Sequence, residues 1–294
     1  MHWGIDLGGT KIEASVLMDG RVLARHRIPT EANQGYEHIL DRIALLLGEV
    51  EAMAGAKAKS IGIGTPGTRD PRTGLMRGCN TTALNGKPLL EDLEKLLQIP
   101  VKIANDANCF ALAEALMGAG RGYRTVFGVI MGTGVGGGLV IDGKALEGLQ
   151  GIAGEWGHNQ LDPNGLQCYC GRIGCVETVI SGPFLERFYE SVSGTKRSLG
   201  EIVRRSRMNE DDHALLLLDH LTQNFGKAIA NVVNILDPDA IILGGGVGKI
   251  EELRTLGADA AKRHIFNPKP QINLLSPELG DSAGVFGAAL LWPD

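Results

Sequence analysis

Two stretches of the chain carry the same pattern of apolar and polar positions. Near the start, "WGIDLGGTKIEASVLMDGRVLARHRI" alternates apolar and polar residues in three runs, broken by a glycine turn and by Asp19-Gly20. Near the middle, "TVFGVIMGTGVGGGLVIDGKALEG" does the same, broken by a glycine turn and by Asp142-Gly143. Period-two alternation predicts strands, and Asp-Gly between such runs predicts a two-residue hairpin turn. A helical pattern over Glu37–Ala54 and a short apolar run, "SIGIGTPG", follow the first unit. The second unit leads on to the long amphipathic "DHALLLLDHLTQNFGKAIANVVNIL" and then the strand "AIILGGG". Strands alternating with helices imply an α/β protein, and the echo implies two related α/β domains facing each other.

Between the repeats, "PVKIANDANCFALAEALMGAG" predicts a strand over Val101–Ala104 and a helix over Ala107–Met117 that stops at Gly118. The predicted organisation is a smaller domain over 1–112 and a larger one over 113–280. "GDSAGVFGAALLWPD", about 281–294, reads as a closing helix that packs back onto the first domain.

The glycine turns are candidate anion sites. Asp6-Leu7-Gly8-Gly9-Thr10-Lys11 follows a strand and can present backbone N–H groups with no Cβ in the way, with Thr10 and Lys11 adding a hydroxyl and a charge. It reads equally as an ordinary hairpin turn. Asp6 would repel a phosphate unless a cation such as Mg²⁺ lay between them. Gly132-Thr133-Gly134-Val135-Gly136-Gly137 has the form G-x-G-x-x-G, yet a strand follows it rather than a helix, which excludes a dinucleotide fingerprint. Gly244-Gly245-Gly246-Val247-Gly248-Lys249 fails as a Walker loop, because Leu243 and Ile250 stand where glycine and serine or threonine are required. It remains a glycine run at the carboxyl end of a buried strand, where a nucleoside can lie against the backbone.

Asn105 and Asp106 fall at a strand-to-helix junction. Two roles fit there: capping of the helix, or a general base that takes a proton from an attacking hydroxyl. His158, Cys168, Cys170 and Cys175 run H-x₉-C-x-C-x₄-C and use three of the five cysteines. One imidazole and three thiolates make a closed tetrahedral set for structural Zn²⁺, within a zinc-binding loop over 157–177, and there is no C-x-x-C pair for thiol exchange. Glu155 and Glu177 flank this clamp, and rigid carboxylates with Asn and His neighbours suit the hydroxyls of a sugar. Cys79 and Cys109 read as small packing residues.

Composition narrows the field. The chain is 44% hydrophobic and 21% charged, with net charge −5 and no basic run of five, which argues against a nucleic-acid partner. No apolar run approaches a membrane span, and the first residues lack the features of a signal peptide, so a cytoplasmic protein is expected.

"DLGGTK", "NDANCFALAE", "GTGVGGG", "GEWGH", "CYCGRIGCVET" and "NILDPDAIILGGG" together resemble the ROK family of sugar kinases and related repressors over essentially the whole chain. The resemblance implies the actin-like ATPase (ribonuclease H-like) duplicated fold, with two domains around a central cleft, and phosphorylation of a hexose at O6 by ATP with Mg²⁺. It implies that Asp6, Gly8, Gly9, Thr10, Lys11, Gly132, Thr133 and Gly134 line the phosphate site, and that Gly244, Gly245 and Gly246 lie near the nucleoside. Asp106 becomes the base, and Asn80, Asn105, Glu155, His158 and Glu177 contact the sugar, with the second ring nitrogen of His158 turned to a sugar hydroxyl. "NTTALNG", "AGEWGHN" and "CYCGRIGCVETVISG" look most like bacterial fructokinases that also take mannose, with N-acetylglucosamine kinase and glucokinase as alternatives. A homodimer is the family-level expectation. The other class to weigh is a non-catalytic sugar-sensing regulator, against which stand the retained Asp106 and the few residues before Asp6, too few for a DNA-reading helix pair.

Overall fold

The computed structural model describes residues 1–292, so the last two residues of the expected closing helix lie outside the described residues. In chain order the strands are β1 (His2–Leu7), β2 (Lys11–Met18), β3 (Arg21–Pro29), β4 (Ile61–Thr65), β5 (Thr68–Arg69), β6 (Met76–Arg77), β7 (Val101–Asn105), β8 (Thr125–Met131), β9 (Val135–Ile141), β10 (Lys144–Ala145), β11 (Ala240–Gly244) and β12 (Leu274–Leu275). The helices are α1 (Tyr36–Ala54), α2 (Leu89–Leu97), α3 (Asp106–Met117), α4 (Glu177–Ile180), α5 (Gly182–Ser193), α6 (Leu199–Arg207), α7 (Asp212–Leu236), α8 (Gly245–Gly248), α9 (Leu256–Lys262) and α10 (Ala283–Ala289).

The chain forms two compact units. The first holds Met1–Gly122, Gly138–Ala153 and the residues from Glu278 onward; the second holds Tyr123–Gly137 and Gly154–Pro277. The division falls within β9. Two five-stranded sheets follow one plan, in the orders β3-β2-β1-β4-β7 and β10-β9-β8-β11-β12. In the first, β1–β2 and β2–β3 are antiparallel, and β4 and β7 run parallel to β1. In the second, β9–β10 is antiparallel, and β8, β11 and β12 are parallel. Both Asp-Gly pairs make the expected hairpin turns, with all four residues at positive φ (51° and 71° at Asp19 and Gly20, 49° and 73° at Asp142 and Gly143).

In the first unit, α1 buries Ile39, Ile43, Leu46 and Val50 at helical spacing, within one core with Ile5, Ile12, Val16 and Ile63 of the sheet. Helix α10 packs on β1, β4 and α3, and glycine makes the close approach possible. A Cβ on Gly4 would lie 2.3 Å from Ala289 N, one on Gly62 would lie 1.9 Å from Ala288 O, and one on Gly287 would lie 1.7 Å from Cys109 O. Gly4 and Gly62 are register partners across β1 and β4, so they open one continuous seat for the helix. In the second unit, α7 starts where the Asp211 side chain accepts from His213 N and Ala214 N. It then buries Leu217, Leu221, Phe225 and Ile229, one per turn.

Candidate active site

In the first unit, β1 delivers Asp6 to the head of the Gly8–Lys11 turn. Gly8 N donates to Lys11 O at 3.0 Å, and the buried Thr30 hydroxyl donates to Gly8 O at 2.6 Å, which locks the turn from below. Gly9, Thr10 and Lys11 face solvent, as a ligand-binding edge requires. Asp6 lies opposite Glu13 in the β1–β2 register. Glu13 is buried but neutralised by ion pairs from Arg25 and Arg27. Asp6 sits in a cradle walled by glycine: a Cβ on Gly284 would come within 3.1 Å of its Oδ2, and one on Gly64 within 3.5 Å of its Oδ1. Burial, then the charges of Asp106 and Glu13, push the Asp6 carboxyl up to about 6 against the pull of Lys11 and Arg27. A half-buried carboxylate under that much negative field fits a divalent cation held between it and phosphate oxygens.

Asp106 opens α3. Asn105 is the cap residue, its side chain accepting from Ala107 N at 2.9 Å, and Asp106 Oδ1 accepts from the same N–H at 2.7 Å. The capping role therefore belongs first to Asn105, and the Asp106 carboxylate stands exposed at the helix N-terminus, where the peptide dipoles favour its ionised form. Asn80 is exposed in the loop after β6, whose shape Asn85 holds by bonding both the N–H and the C=O of Cys79. Its mate in sequence, Thr81, is buried with its hydroxyl near the place a Cβ on Gly9 would take, 3.3 Å away.

In the second unit, the glycine turns at the carboxyl ends of β8 and β11 come together. Gly132 N donates to Gly134 O at 2.9 Å, and Gly182 N donates to Gly132 O at 2.8 Å. Gly245 is at φ +80° with Met131 O only 2.2 Å from where a Cβ would stand, so only glycine serves there. A Cβ on Gly132 would lie 3.9 Å from Gly246 N. Gly132–Gly134 and Gly244–Gly246 are thus one glycine-lined rim. Glu177 joins it: its Oε2 accepts from Val135 N at 2.9 Å. The segment Glu155–His158 docks on the same turn, with Trp156 Nε1 donating to Gly136 O at 2.8 Å and Gly157 packed against Val135 O.

The four predicted metal ligands gather as expected. His158 Nδ1 lies 3.6 Å from Cys168 Sγ, Cys170 Sγ lies 3.6 Å from Cys175 Sγ, and all four ligand atoms lie within 4.8 Å of one another. A tetrahedral zinc with Zn–S of ~2.3 Å would place its ligands roughly 3.7 Å apart, so the donor set fits that ion in number, kind and spacing. Burial, then the neighbouring thiols of Cys170 and Cys168, push the Cys175 thiol up to about 12. Gly174 is at φ +67° with Asp162 O where a Cβ would be, which ties the loop back on itself.

His158 has a neighbour on each ring nitrogen. Its Nδ1 faces the thiols, but its Nε2 meets the Tyr169 hydroxyl at 3.1 Å, and the two rings stand edge to face with centroids 5.2 Å apart. Burial of that hydroxyl, then the charges of Glu177 and Glu155, push it up to about 12. Tyr169 was missed in the sequence. Its one signal was an aromatic residue enclosed by two cysteine ligands, a position where a loop exposes what it does not need for packing.

No helix among the described residues is long and apolar enough to cross a membrane. A family model described as the ROK family matches residues 2–294. The chain is 36% identical to an N-acetyl-D-glucosamine kinase of Pectobacterium atrosepticum, covering 99% of this chain and 98% of that protein. It is also 36% identical to the N-acetylgalactosamine kinase AgaK of Shewanella sp., covering 99% and 96%. Among solved structures, the ROK hexokinase of Thermus thermophilus superposes with a TM-score of 0.89 at 34% identity, covering 99% of this chain and 97% of that one.

Proposed function

The chain belongs to the ROK family, and from that premise we propose that it transfers the γ-phosphoryl group of ATP to the O6 hydroxyl of an N-acetylated hexosamine. The duplicated actin-like α/β architecture is that of the family, and likeness to its kinase members over nearly the whole chain supports ATP-dependent sugar phosphorylation. The substrate is the finer step. The fructose expected from the "NTTALNG" and "CYCGRIGC" stretches finds no counterpart in the relatives above. The alternative, N-acetylglucosamine, does: two relatives matched over 98% and 96% of their length at 36% identity are named for N-acetylated hexosamines. That observation carries the substrate assignment.

The residues divide the work as follows. Exposed Asp106 accepts the proton of the attacking sugar hydroxyl; a carboxylate serves because a loose phosphoryl-transfer transition state delays the proton's departure. Backbone N–H groups of the Gly8–Lys11 and Gly132–Gly134 turns bind phosphate oxygens, and the glycine run from Gly244 takes the nucleoside. Mg²⁺ held through Asp6 would supply the positive charge that gathers the phosphates. Asn80, Asn105, Glu155, His158 and Glu177 orient the sugar through its hydroxyls. Zn²⁺ on His158, Cys168, Cys170 and Cys175 would hold Glu155 and Glu177 rigid on either side of its loop.

The test is ADP release from MgATP with N-acetylglucosamine, N-acetylgalactosamine, N-acetylmannosamine, glucose, mannose and fructose. We expect the highest kcat/KM with an N-acetylated sugar. A higher value for fructose would restore the first expectation, and no sugar-dependent turnover from metal-replete protein would favour a sensor.

A further inference from the structure

We propose that Asn85 is a positioning residue for sugar binding: its side-chain amide clips the Cys79 peptide groups and so holds Asn80 where it meets a sugar hydroxyl. The inference rests on the sugar-kinase reading above, in which Asn80 touches the sugar, and deepens it by naming what fixes that contact.

The "NTTALNG" stretch lies in a closed loop between β6 and α2. Met76 zips the base of this loop, its O accepting from Gly86 N at 2.8 Å and its N donating to Lys87 O at 2.9 Å. Leu84 is fully buried and anchors the loop in the core of the first unit. Gly78 and Gly86 take the positive φ, 65° and 76°, of its two bends. These features close the loop without Asn85. The asparagine adds a separate clip: its Oδ1 accepts from Cys79 N at 2.9 Å, and its Nδ2 donates to Cys79 O at 3.0 Å. One primary amide thus pairs with both polar groups of one residue, as a neighbouring antiparallel strand would.

The clip falls on the residue just before Asn80, and the other contacts of Cys79 lead to the same site. A Cβ on Gly67 would lie 2.5 Å from Cys79 Sγ and 2.9 Å from its Cα, so the turn after β4 presses directly on Cys79. That turn begins at Thr65, the register partner of Asn105, and the Thr65 hydroxyl donates to Gly67 O at 3.0 Å. Asn80 N donates to Pro66 O at 3.4 Å. On its other side, Thr81 is buried against the Gly9 turn. Asn80 therefore stands exposed between two held neighbours, in one frame with Asn105 and the Gly8–Lys11 turn, all within the first unit. Without the clip, the Cys79 peptide groups lose these partners and turn to water. Asn80 then gains freedom in the empty protein that sugar binding must take away again, which weakens binding.

Asn85→Ala removes the clip and leaves Asn80; Asn80→Ala removes the contact itself. Sugar Kd by calorimetry with N-acetylglucosamine, KM for sugar and for ATP, kcat and urea unfolding are measured for the two single variants and the double variant. A neutral hydrogen bond is worth roughly two- to tenfold in affinity. We expect Asn85→Ala to raise sugar Kd and KM by that factor, with KM for ATP within about twofold and kcat less affected. The double variant should bind sugar no more than about twofold more weakly than Asn80→Ala alone, because two residues acting through one contact are not additive. Unchanged sugar affinity in either single variant, or losses that multiply in the double variant, would overturn the proposal. So would an equal rise in KM for ATP, which would show a general loosening of the unit. If Asn85→Ala does not fold, Asn85→Asp, which keeps the acceptor for Cys79 N–H, takes its place in the same cycle. Wild-type protein that binds N-acetylglucosamine yet releases no ADP would fail the kinase reading while the affinity cycle still decides the role of Asn85. Binding of fructose instead would fail the substrate assignment, and the same cycle run with fructose still decides. Wild-type protein that binds no sugar would overturn both.

Discussion

Replacing Asp6 by asparagine should make the protein more stable at neutral pH while removing its activity. The folded state raises this carboxyl from 3.8 to about 6, first by burial and then through Asp106 and Glu13. A folded pKa above the unfolded one means that the native state holds its proton more tightly. The penalty is therefore absent below the unfolded value near 4, grows between pH 4 and 6, and is fully present above 6. With one pKa unit equal to about 1.4 kcal/mol, the ionised group costs the native state roughly 1.5 kcal/mol at pH 5 and about 3 kcal/mol at pH 7. Asparagine has the same shape and no charge, so it removes that pH-dependent part. Its amide brings an offset of its own, but an offset does not change with pH. The assay is urea unfolding of both proteins at several pH values from 5 to 8. The stability difference in favour of Asp6→Asn should grow by about 1.5 kcal/mol from pH 5 to 7 and then level off. MgATP should stabilise the wild-type protein and have little effect on the variant, because the cation loses its carboxylate. A stability difference that does not vary with pH, or one that moves the other way, would refute the reasoning.

Three further outcomes follow from the geometry. Glu114 is fully buried on α3 and its carboxylate accepts from Ala119 N, Glu278 N and Leu279 N at 2.9–3.1 Å; Glu114→Gln turns one acceptor into a donor and should cost about 2–3 kcal/mol in urea unfolding, against under 0.5 if these bonds are replaceable by water. Gly134→Ala would put a Cβ 2.6 Å from Glu177 Oε2 and push that carboxylate off Val135 N; sugar KM should rise roughly tenfold with kcat less affected, and an unchanged KM would remove Glu177 from sugar binding. Purified protein should contain about one zinc per chain, and chelation should lower both Tm and sugar affinity, since the cluster orders the loop that carries Glu155 and Glu177; full activity without metal would reduce the cluster to an inert loop.

The features legible in the sequence were the local ones. Asp19-Gly20 and Asp142-Gly143 declared their hairpins because positive φ at both positions is a property of those residues themselves. The Asn105–Asp106 junction and the H-x₉-C-x-C-x₄-C ligand set were visible for the same reason: a cap and a closed metal loop are written within a few residues. What stayed hidden depends on contacts between distant segments. Glycines on strands read as turn or ligand residues, whereas Gly4 and Gly62 exist to seat α10, more than 200 residues later. Nothing local in the α3 sequence marks Glu114 as buried; its partners Glu278 N and Leu279 N come from a segment more than 160 residues later. The pairing of Tyr169 with His158 needed the folded loop, since the two stand eleven positions apart along irregular backbone.

The central claim is that Asp106 serves phosphoryl transfer to a bound sugar. Rapid-quench single turnover of Asp106→Asn with MgATP and N-acetylglucosamine, with sugar affinity measured alongside, tests it most directly. The account predicts a sugar 6-phosphate from the wild-type protein, transfer slowed by about 10²–10⁴-fold in the variant, and sugar affinity within a fewfold of normal. Transfer at an undiminished rate from the variant would contradict it.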